Sequence, residues 1–499
     1  MNVKSSLSLN DRYDVAVVGL GPVGATLANL LALRGLRVLA LDREPDIYRL
    51  PRAIQFDGEC MRVFQTIGIA DRLAPGLCVA PGMKFLGADG RLLLDWQRST
   101  EIGPQGWHPS YRFHQPTLET LLRERLSQQP CVDVRLRHEV FSVEQDTSEV
   151  RLRLEDMSGG KLLQTTARYV IGCDGARSTI RRFMGTELED LRSHERWLVV
   201  DVILSKERPD LGDHAVQYCD PARPTTYVRG PGNRRRWEFM LLPGEDAAVM
   251  SRAESIWQLL ARWVSPDDAD LERPAVYTFH SVVAKGWRRD RLLIAGDAAH
   301  QTPPFMGQGM AAGIRDASNL GWKLAQVIGS GADPDLLDTY ESERAPHVRE
   351  FIETAVRLGS LIQTKDPEQA RLRDIQMLAN PQVFTTPQPR LGPGLHDDTE
   401  FSGIVGEQPT LAGDILLDDK VGYEFSLLID RAWEITTLIK NIKVIPADSS
   451  SAQDWLQRLG AGAVLLRPDR YITGVAHEPK DVEPLLNMAS GSCAEPTVA

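Results

Sequence analysis

Apolar and polar positions divide the chain into runs of different period, and the first run sets the pattern. Tyr13 to Gly19, "YDVAVVG", is almost unbroken in its apolar character, as a strand buried on both faces of a parallel sheet must be. Glycines follow at Gly19, Gly21 and Gly24, and "ATLANLLALRG" continues as a helix to Gly35. "LRVLALD" then reads as a second strand, ending on Asp42. Val15 to Leu33 holds nineteen residues without a charge, enough to cross a bilayer as a helix. Three glycines and Pro22 interrupt it, so strand, tight turn and buried helix is the reading.

Two later segments repeat this form. "YVIGCDGARSTIRR", Tyr169 to Arg182, ends its apolar run on Asp174 and Gly175, before a helix start bearing Ser178 and Arg181. "RLLIAGD" ends on Asp297, and "GMAAGIRDASNLGWKLAQVI" follows as helix. Strand ends of this kind converge at the carboxyl edge of an open sheet, where ligands bind. Between them the period changes to two. "WLVVDVIL", "HAVQYCD", "TTYVRGPG" and "RRRWEFMLLPG" predict a mostly antiparallel sheet over residues 186–284. After the helix "RAPHVREFIETAVRLGSLI", residues 366–410 are rich in proline, glutamine and glycine and read as a linker. Beyond it, "FSLLID", "IKVIPA" and "GAVLLRPDRYITGV" are strands, with a helix at "SAQDWLQRLG". The tail "NMASGSCAEPTVA" is expected to be disordered.

Length and charge narrow the class. At 499 residues the chain exceeds one ordinary core, so two or three domains are expected. A net charge of −11 argues against nucleic acid or an anionic membrane surface as a partner. Cys60, Cys78, Cys131, Cys173, Cys219 and Cys493 form no C-x-x-C pair and no metal-like spacing with histidines. Apolar packing roles in a reducing compartment follow. "MNVKSSLSLNDRYD" has no apolar core of a signal peptide, so the expected location is cytoplasmic.

The chemistry starts at the glycine loop. Gly19 permits a sharp turn, Gly21 lets a pyrophosphate approach the backbone, and Gly24 lets the helix pack on the strand. The helix N-terminus offers free N–H groups to phosphate. Asp42, about twenty residues beyond the loop, stands where a ribose hydroxyl would be held. NAD and FAD both use such a unit. Contact at three strand ends suits a long cofactor better than a short one, although Asp174 or Asp297 alone could be a helix N-cap.

The combination of "GLGPVG", "CDGARSTIR" and "GDAAHQTPPFMGQG" resembles the FAD-dependent aromatic hydroxylases, flavoprotein monooxygenases with a p-hydroxybenzoate-hydroxylase-like fold. "PRAIQFDGE", "WLVVDVIL", "YCDPARP", "RRWEFMLLPGE" and "GQGMAAGIRDASNLGWKLA" are most similar to the 3-(3-hydroxyphenyl)propionate hydroxylase branch. The resemblance runs from about residue 12 to 355, and "GAGAVLLRPDRYITG" resembles the end of a thioredoxin-like tail found in such enzymes. It implies an α/β architecture. An FAD-binding Rossmann-like (glutathione-reductase-type) domain is built from 1–82, 111–185 and 285–365. A mostly antiparallel substrate-binding domain is inserted as 83–110 and 186–284, and a thioredoxin-like domain without C-x-x-C follows from 411 to 499. That last unit is expected to be structural or to support a homodimer.

The resemblance also implies residue roles. Gly19, Gly21 and Gly24 lie under the FAD pyrophosphate, Asp42 holds the adenosine ribose, and Arg43 lies beside it. Arg52 and Gln115 match flavin contacts, Asp174 serves both FAD and the nicotinamide donor, and Asp297 holds the ribityl chain. Backbone at Gly309, Met310 and Ala311 faces the pyrimidine edge, where a helix N-terminus favours negative charge; many relatives have Asn where this chain has Ala311. Pro303 and Pro304 wall a dry reaction cavity. NADH or NADPH is the implied donor and O2 the co-substrate. Oxygen passes through a C4a-hydroperoxyflavin to the carbon ortho to a phenol hydroxyl, with no metal required.

Candidates to face the substrate are Tyr218, Tyr227, Arg229, Arg236, Glu238, Met240 and His280. Related hydroxylases place an arginine on the strand of Arg236, and a carboxylate substrate would want one, but "RRR" also suits a solvated turn. His280 could assist phenol deprotonation or be structural, while His300 reads as packing or a hydrogen bond near the cofactor. The expected substrate is a phenylpropionate-type phenolic acid. Another phenol, a polycyclic aromatic, a flavin dehydrogenase without oxygen insertion and a non-enzymatic binding protein of this fold remain open.

Overall fold

Parallel pairing on both sides of one strand organises the first layer. In this computed structural model, which describes residues 12–49, 52–272, 274–381, 383–397, 399–433 and 441–489, β1 (Arg12–Val18) pairs parallel with β2 (Val38–Asp42) and with Lys161–Gly172. The sheet runs Arg288–Arg289, Leu292–Ile294, Lys161–Gly172, β1, β2, Val132–Leu136. Its central strands are apolar throughout because helices cover them. One is α1 (Pro22–Leu33), which begins with Pro22 at its first position, where the missing N–H costs nothing. The turn into α1 requires glycine twice. Gly19 has φ +95°, and a Cβ on Gly24 would lie 1.9 Å from the Gly19 carbonyl oxygen. Asn487 and Met488, expected in the disordered tail, end the helix Val482–Met488 instead; the stretch before Arg12 and the tail from Ser490, with Cys493, lie outside the described residues.

α2 (Gly58–Ile67), capped by Asp57, and α3 (Gly309–Ala325) pack near the same edge, with α3 against α1. Every residue of α3 from Ala311 to Ala325 is buried. α4 (Thr339–Ile362) lies beside it.

The second layer is the antiparallel sheet that the period-two segments predict. β3 (Glu187–Leu204), β4 (Ala215–Cys219), β5 (Thr225–Arg229), β6 (Arg234–Met240) and β7 (Ala275–Lys285) run in the order β7, β3, β6, β5, β4. Gly82–Gly87 then adds parallel to β4, and Leu92–Gln97 closes the edge. Both faces are buried, in different cores. Trp197, Val228 and Met240 meet Trp96, Phe305 and Met306 on one side. Leu198, Val200, Tyr227, Trp237 and Phe239 meet Ile256 and Leu260 on the other.

The stretch expected to be a linker contains a helix, α5 (Pro367–Ala379). Arg373 docks it by donating to the carbonyls of Leu361 and Cys219. Pro367 marks the first turn of α5 and the proline-rich run follows its end, so proline here punctuates structure. A last sheet orders Ile442–Pro446, Phe425–Ile429, Ala463–Leu466 and Ile472–Ala476, the first pair parallel and the others antiparallel. Among the described residues no helix is long and apolar enough to cross a membrane.

A buried carboxylate ties these layers together. Glu343 of α4 accepts from Lys323 at 2.7 Å, Arg467 at 2.8 and 2.9 Å, Asn319 at 2.8 Å and the Leu395 N–H at 2.8 Å. Burial pushes this carboxyl up, but Arg467 and then Lys323 outweigh it and hold it well below the ordinary range. Glu343→Ala leaves the buried Lys323 without its carboxylate and Arg467 with Asp469 alone, and urea denaturation should show a loss of about 3–5 kcal/mol; a loss under about 1 kcal/mol contradicts this role.

Candidate cofactor and substrate site

The carboxyl ends of the parallel strands carry the three motifs to one groove. Gly21 caps α1, whose first turn holds no acid, and a Cβ built there meets nothing within 4 Å. This is open space in front of free N–H groups. Asp42 holds the loop, its oxygens accepting from the N–H groups of Leu20 and Glu44, each at 2.9 Å. Arg123 stands 3.6 Å from Asp42 and donates to the Leu20 carbonyl. Arg43 is exposed at the rim against Glu44.

Asp174 accepts from the N–H groups of Thr179 and Ile180 with Oδ2, while Oδ1 is buried without a partner. It therefore ties down the first turn of the helix Thr179–Met184, whose N-cap is Ser178, and still has an acceptor free. Asp297 makes no hydrogen bond through its side chain among the described residues; burial raises its pKa, with Arg52 and His300 opposing. Gln115 accepts the N–H groups of Arg52 and Ala53 at 2.9 and 2.8 Å, so it shapes that segment. The Arg52 guanidinium lies 5.1 Å over the Tyr48 ring.

Pro303 is buried and Pro304 half-buried, and the following Phe305 stands 5.8 Å from Trp197 of the second sheet. α3 then begins at Gly309 with no acid in its first turn; Met310 is half-buried and Ala311 buried. His300 points away from solvent, with Nε2 2.6 Å from Asp316 Oδ2. An FAD-sized cofactor fits this donor set. Acid-free helix ends face where phosphate and ring would lie, and Asp174 and Asp297 keep acceptors for hydroxyl groups.

The strand period decides which candidates face this groove. Arg236, Glu238 and Met240 alternate onto the side that carries Trp197 and Val228. Tyr218, Tyr227 and Arg229 fall on the opposite face and are corrected accordingly. Trp263 donates to the Tyr218 hydroxyl, Tyr227 donates to the Gly212 carbonyl, and Arg229 pairs with Asp213. Gln217, Thr226 and Val228 take the site-facing positions instead. His280 is corrected too. It sits 2.8 Å from His194, which is exposed and bound to Asp190, while the neighbouring Phe279 turns to the core shared with Trp197.

Arg236 is 1% exposed, which removes the solvated-turn reading. It is also no free cation. Nε and Nη2 grip Asp201 at 2.8 and 2.9 Å, and Nη1 donates to the Arg52 carbonyl. Glu238 is buried 3.9 Å from Arg236 and makes no side-chain hydrogen bond among the described residues; burial raises its pKa, and the Arg236 charge opposes this. Sequence reasoning missed Asp201, Gln217, Arg123, the half-buried Arg98 and the buried Arg112. Only the apolar strands around them are visible along the chain.

A family model described as an FAD binding domain matches residues 12–355. The chain is 37% identical to a probable NADH-specific resorcinol 4-hydroxylase of Rhodococcus jostii (strain RHA1), covering 94% of this chain and 93% of that protein. It is 32% identical to a 3-(3-hydroxy-phenyl)propionate/3-hydroxycinnamic acid hydroxylase of Burkholderia vietnamiensis (strain G4 / LMG 22486), covering 93% of each. Its shape is similar to that of the flavin-dependent monooxygenase PieE, with a TM-score of 0.81 at 22% identity over 96% of this chain and 98% of that one. Aklavinone-11 hydroxylase is also similar, at TM-score 0.79 and 22% identity over 96% and 99%. The α/β flavin-monooxygenase fold, with its mixed parallel sheet and antiparallel sheet, is thereby established.

Two glycine variants separate folding from cofactor binding. Gly21→Ala should fold with an unchanged melting temperature as apoprotein but lose bound flavin absorbance. Gly24→Ala, which collides with the Gly19 carbonyl, should not yield folded protein. A yellow Gly21→Ala enzyme of normal affinity would contradict the placement of the phosphate.

Proposed function

This chain belongs to the FAD-binding aromatic hydroxylases, and from that premise we propose that it hydroxylates a small phenol ortho to its hydroxyl group, with a 3-(3-hydroxyphenyl)propionate-like acid as substrate class and NADH as donor. Bound FAD supplies electron transfer from the nicotinamide and activation of O2. The chain's own residues position and dry the reaction. N–H groups at Met310 and Ala311 favour negative charge at the cofactor ring. Asp297 and Asp174 accept hydroxyls of the cofactor, and Asp42 holds its ribose. Pro303 and Pro304 exclude water.

The observation that carries the phenol reading is Glu238. A carboxylate buried on the site face with no hydrogen-bond partner among the described residues accepts the substrate O–H and can take its proton, which enriches the ring at the ortho carbon. A neutral dihydroxybenzene is the second reading. The near full-length match to a resorcinol 4-hydroxylase favours it, as does the commitment of Arg236 to Asp201. The domain division given above, including a thioredoxin-like unit from 411, is proposed on the same footing; the parallel pair, helix and antiparallel pair of the last sheet support it.

Aerobic consumption of NADH and NADPH, with product analysis, tests the proposal across 3-(3-hydroxyphenyl)propionate, resorcinol and plain phenols. Donor oxidation with only H2O2 as product for every phenol would sink it. The ionised form of Glu238 is the working one and its pKa is raised, so kcat/KM should fall as pH drops through a value above the ordinary carboxylate range. Glu238→Gln should remove that acid limb and lower kcat about 100-fold; an unchanged pH profile would count against the role.

A further inference from the structure

Two arginines beside this site, Arg112 buried and Arg98 half-buried, have no carboxylate partner among the described residues. Arg98 follows the edge strand Leu92–Gln97, stacks 4.4 Å over the Trp96 ring and donates from Nη1 to Ser110 at 2.9 Å; its Nη2 is shut from solvent and unpartnered. Arg112 is 2% exposed and gives Nη1 to Gln55 Oε1, while its Nε is buried without a partner. Arg98 thus reaches the segment of Arg112 through Ser110, two residues before it; burial lowers both, Arg98 to about 10 and Arg112 to about 9, and the charge of Arg98 lowers Arg112 further.

The carboxylates nearby are already used. Asp57 caps α2 and binds Arg315, and Glu59 binds Arg315 and the Tyr471 hydroxyl. The Cys78 thiol is the other titratable group facing Arg112. A buried cation without an anion is costly, and a guanidinium fork matches a carboxylate or other anionic oxygen. The location fits such a ligand. Trp96 belongs to the apolar cluster of Trp197, Met240, Phe305 and Met306. Gln55 packs on Gly307, where a Cβ would lie 3.2 Å from its own Cβ, two residues before α3.

We propose that Arg98 and Arg112 receive an anionic oxygen of the aromatic substrate, with Gln55 orienting one head and Trp96 the other. The assignment rests on the phenol-hydroxylase reading. Two sources share this chemistry: the carboxylate of a phenolic acid, and the phenolate of the ring itself.

FAD-loaded enzyme without a donor is titrated with 3-(3-hydroxyphenyl)propionate and with neutral 3-ethylphenol. Perturbation of the flavin spectrum gives Kd, and an ultraviolet difference band reports bound phenolate. A carboxylate source makes the acid bind about 10- to 100-fold more tightly than 3-ethylphenol; a phenolate source gives the band for both ligands at neutral pH. Arg98→Gln and Arg112→Gln should each abolish that preference or that band while leaving FAD content unchanged, and Arg112→Lys should restore part of it. Arg98 is partly exposed, so Arg98→Gln decides the matter if Arg112→Gln does not fold. Equal binding of both ligands by the wild type with no phenolate band overturns the assignment, as does a preference or a band that survives unchanged in both variants. In those cases product from 3-ethylphenol leaves the hydroxylase reading standing. If neither ligand perturbs the flavin or yields product, the assignment falls, and if resorcinol yields no product either, the hydroxylase reading itself fails.

Discussion

Everything in this fold depends on keeping α3 buried while its N-terminus stays free of acid. A helix end that favours negative charge on a cofactor must sit in a dry place, and there every polar side chain on the helix needs a partner. α3 carries Arg315, Asp316, Asn319 and Lys323, all buried. Arg315 binds Asp57 and Glu59 beside α2, and Asp316 binds His300, Arg344 and the Gly296 N–H. Asn319 and Lys323 meet Glu343. Burial raises Asp316, but His300 and then Arg344 outweigh it and hold it below the ordinary range. His300 is thus a strut between the strand-end motif and α3, which explains its place in the motif without a role as base.

The same constraint makes the C-terminal unit part of the core. Arg467 completes the shell of Glu343, and Tyr471 donates to Glu59 while its hydroxyl lies 3.3 Å from His347. Burial and the adjacent Arg344 charge lower the His347 pKa well below its usual value, which keeps the ring neutral. Asp418 takes Arg62 of α2 in a bidentate pair, so α2 is fixed from that side as well. A chain of ion pairs therefore links the last sheet to the helix under the cofactor. Each pair shields charges that would be expensive alone, and the gain is one defined position for α3.

What was legible along the chain was local. The three strand-end motifs each fit within about twenty residues, and their glycines and acids declare a turn wherever the rest of the fold goes. The facing of β6 was not local. Alternation normally reveals the buried side of a strand, but Trp237 and Phe239 fill one core while Arg236, Glu238 and Met240 fill the other. With both faces buried, hydropathy cannot say which side holds the cofactor. Tyr218, Tyr227 and Arg229 were therefore read onto the wrong face. The surroundings of Arg236 were not local either. Its partner Asp201 stands 35 residues earlier on β3, opposite it only through the register of the sheet. The pair Arg98 and Arg112 was hidden because isolated arginines in polar surroundings look like surface.

Charges without partners mark where a ligand must complete the structure. Every side-chain nitrogen of Arg315 and oxygen of Asp316 on α3 is bonded, whereas Asp297, Asp174 Oδ1, Glu238, Arg98 and Arg112 keep unused acceptors or donors. Their signs are sorted in space. Acceptors lie along the parallel strand ends, where the proposed placement of FAD would bring its sugar and ribityl hydroxyls. One acceptor lies on the site face of the second sheet, and two donors lie beside Trp96. A cavity built for a wholly apolar ring would gain nothing from such groups and would be more stable with apolar residues in their place. Their retention in a buried position is best explained by a ligand that brings a hydroxyl to Glu238 and negative charge to the two arginines. Arg236, spent on Asp201 and on the Arg52 carbonyl, instead joins the antiparallel sheet to the segment of Arg52, which Gln115 also holds.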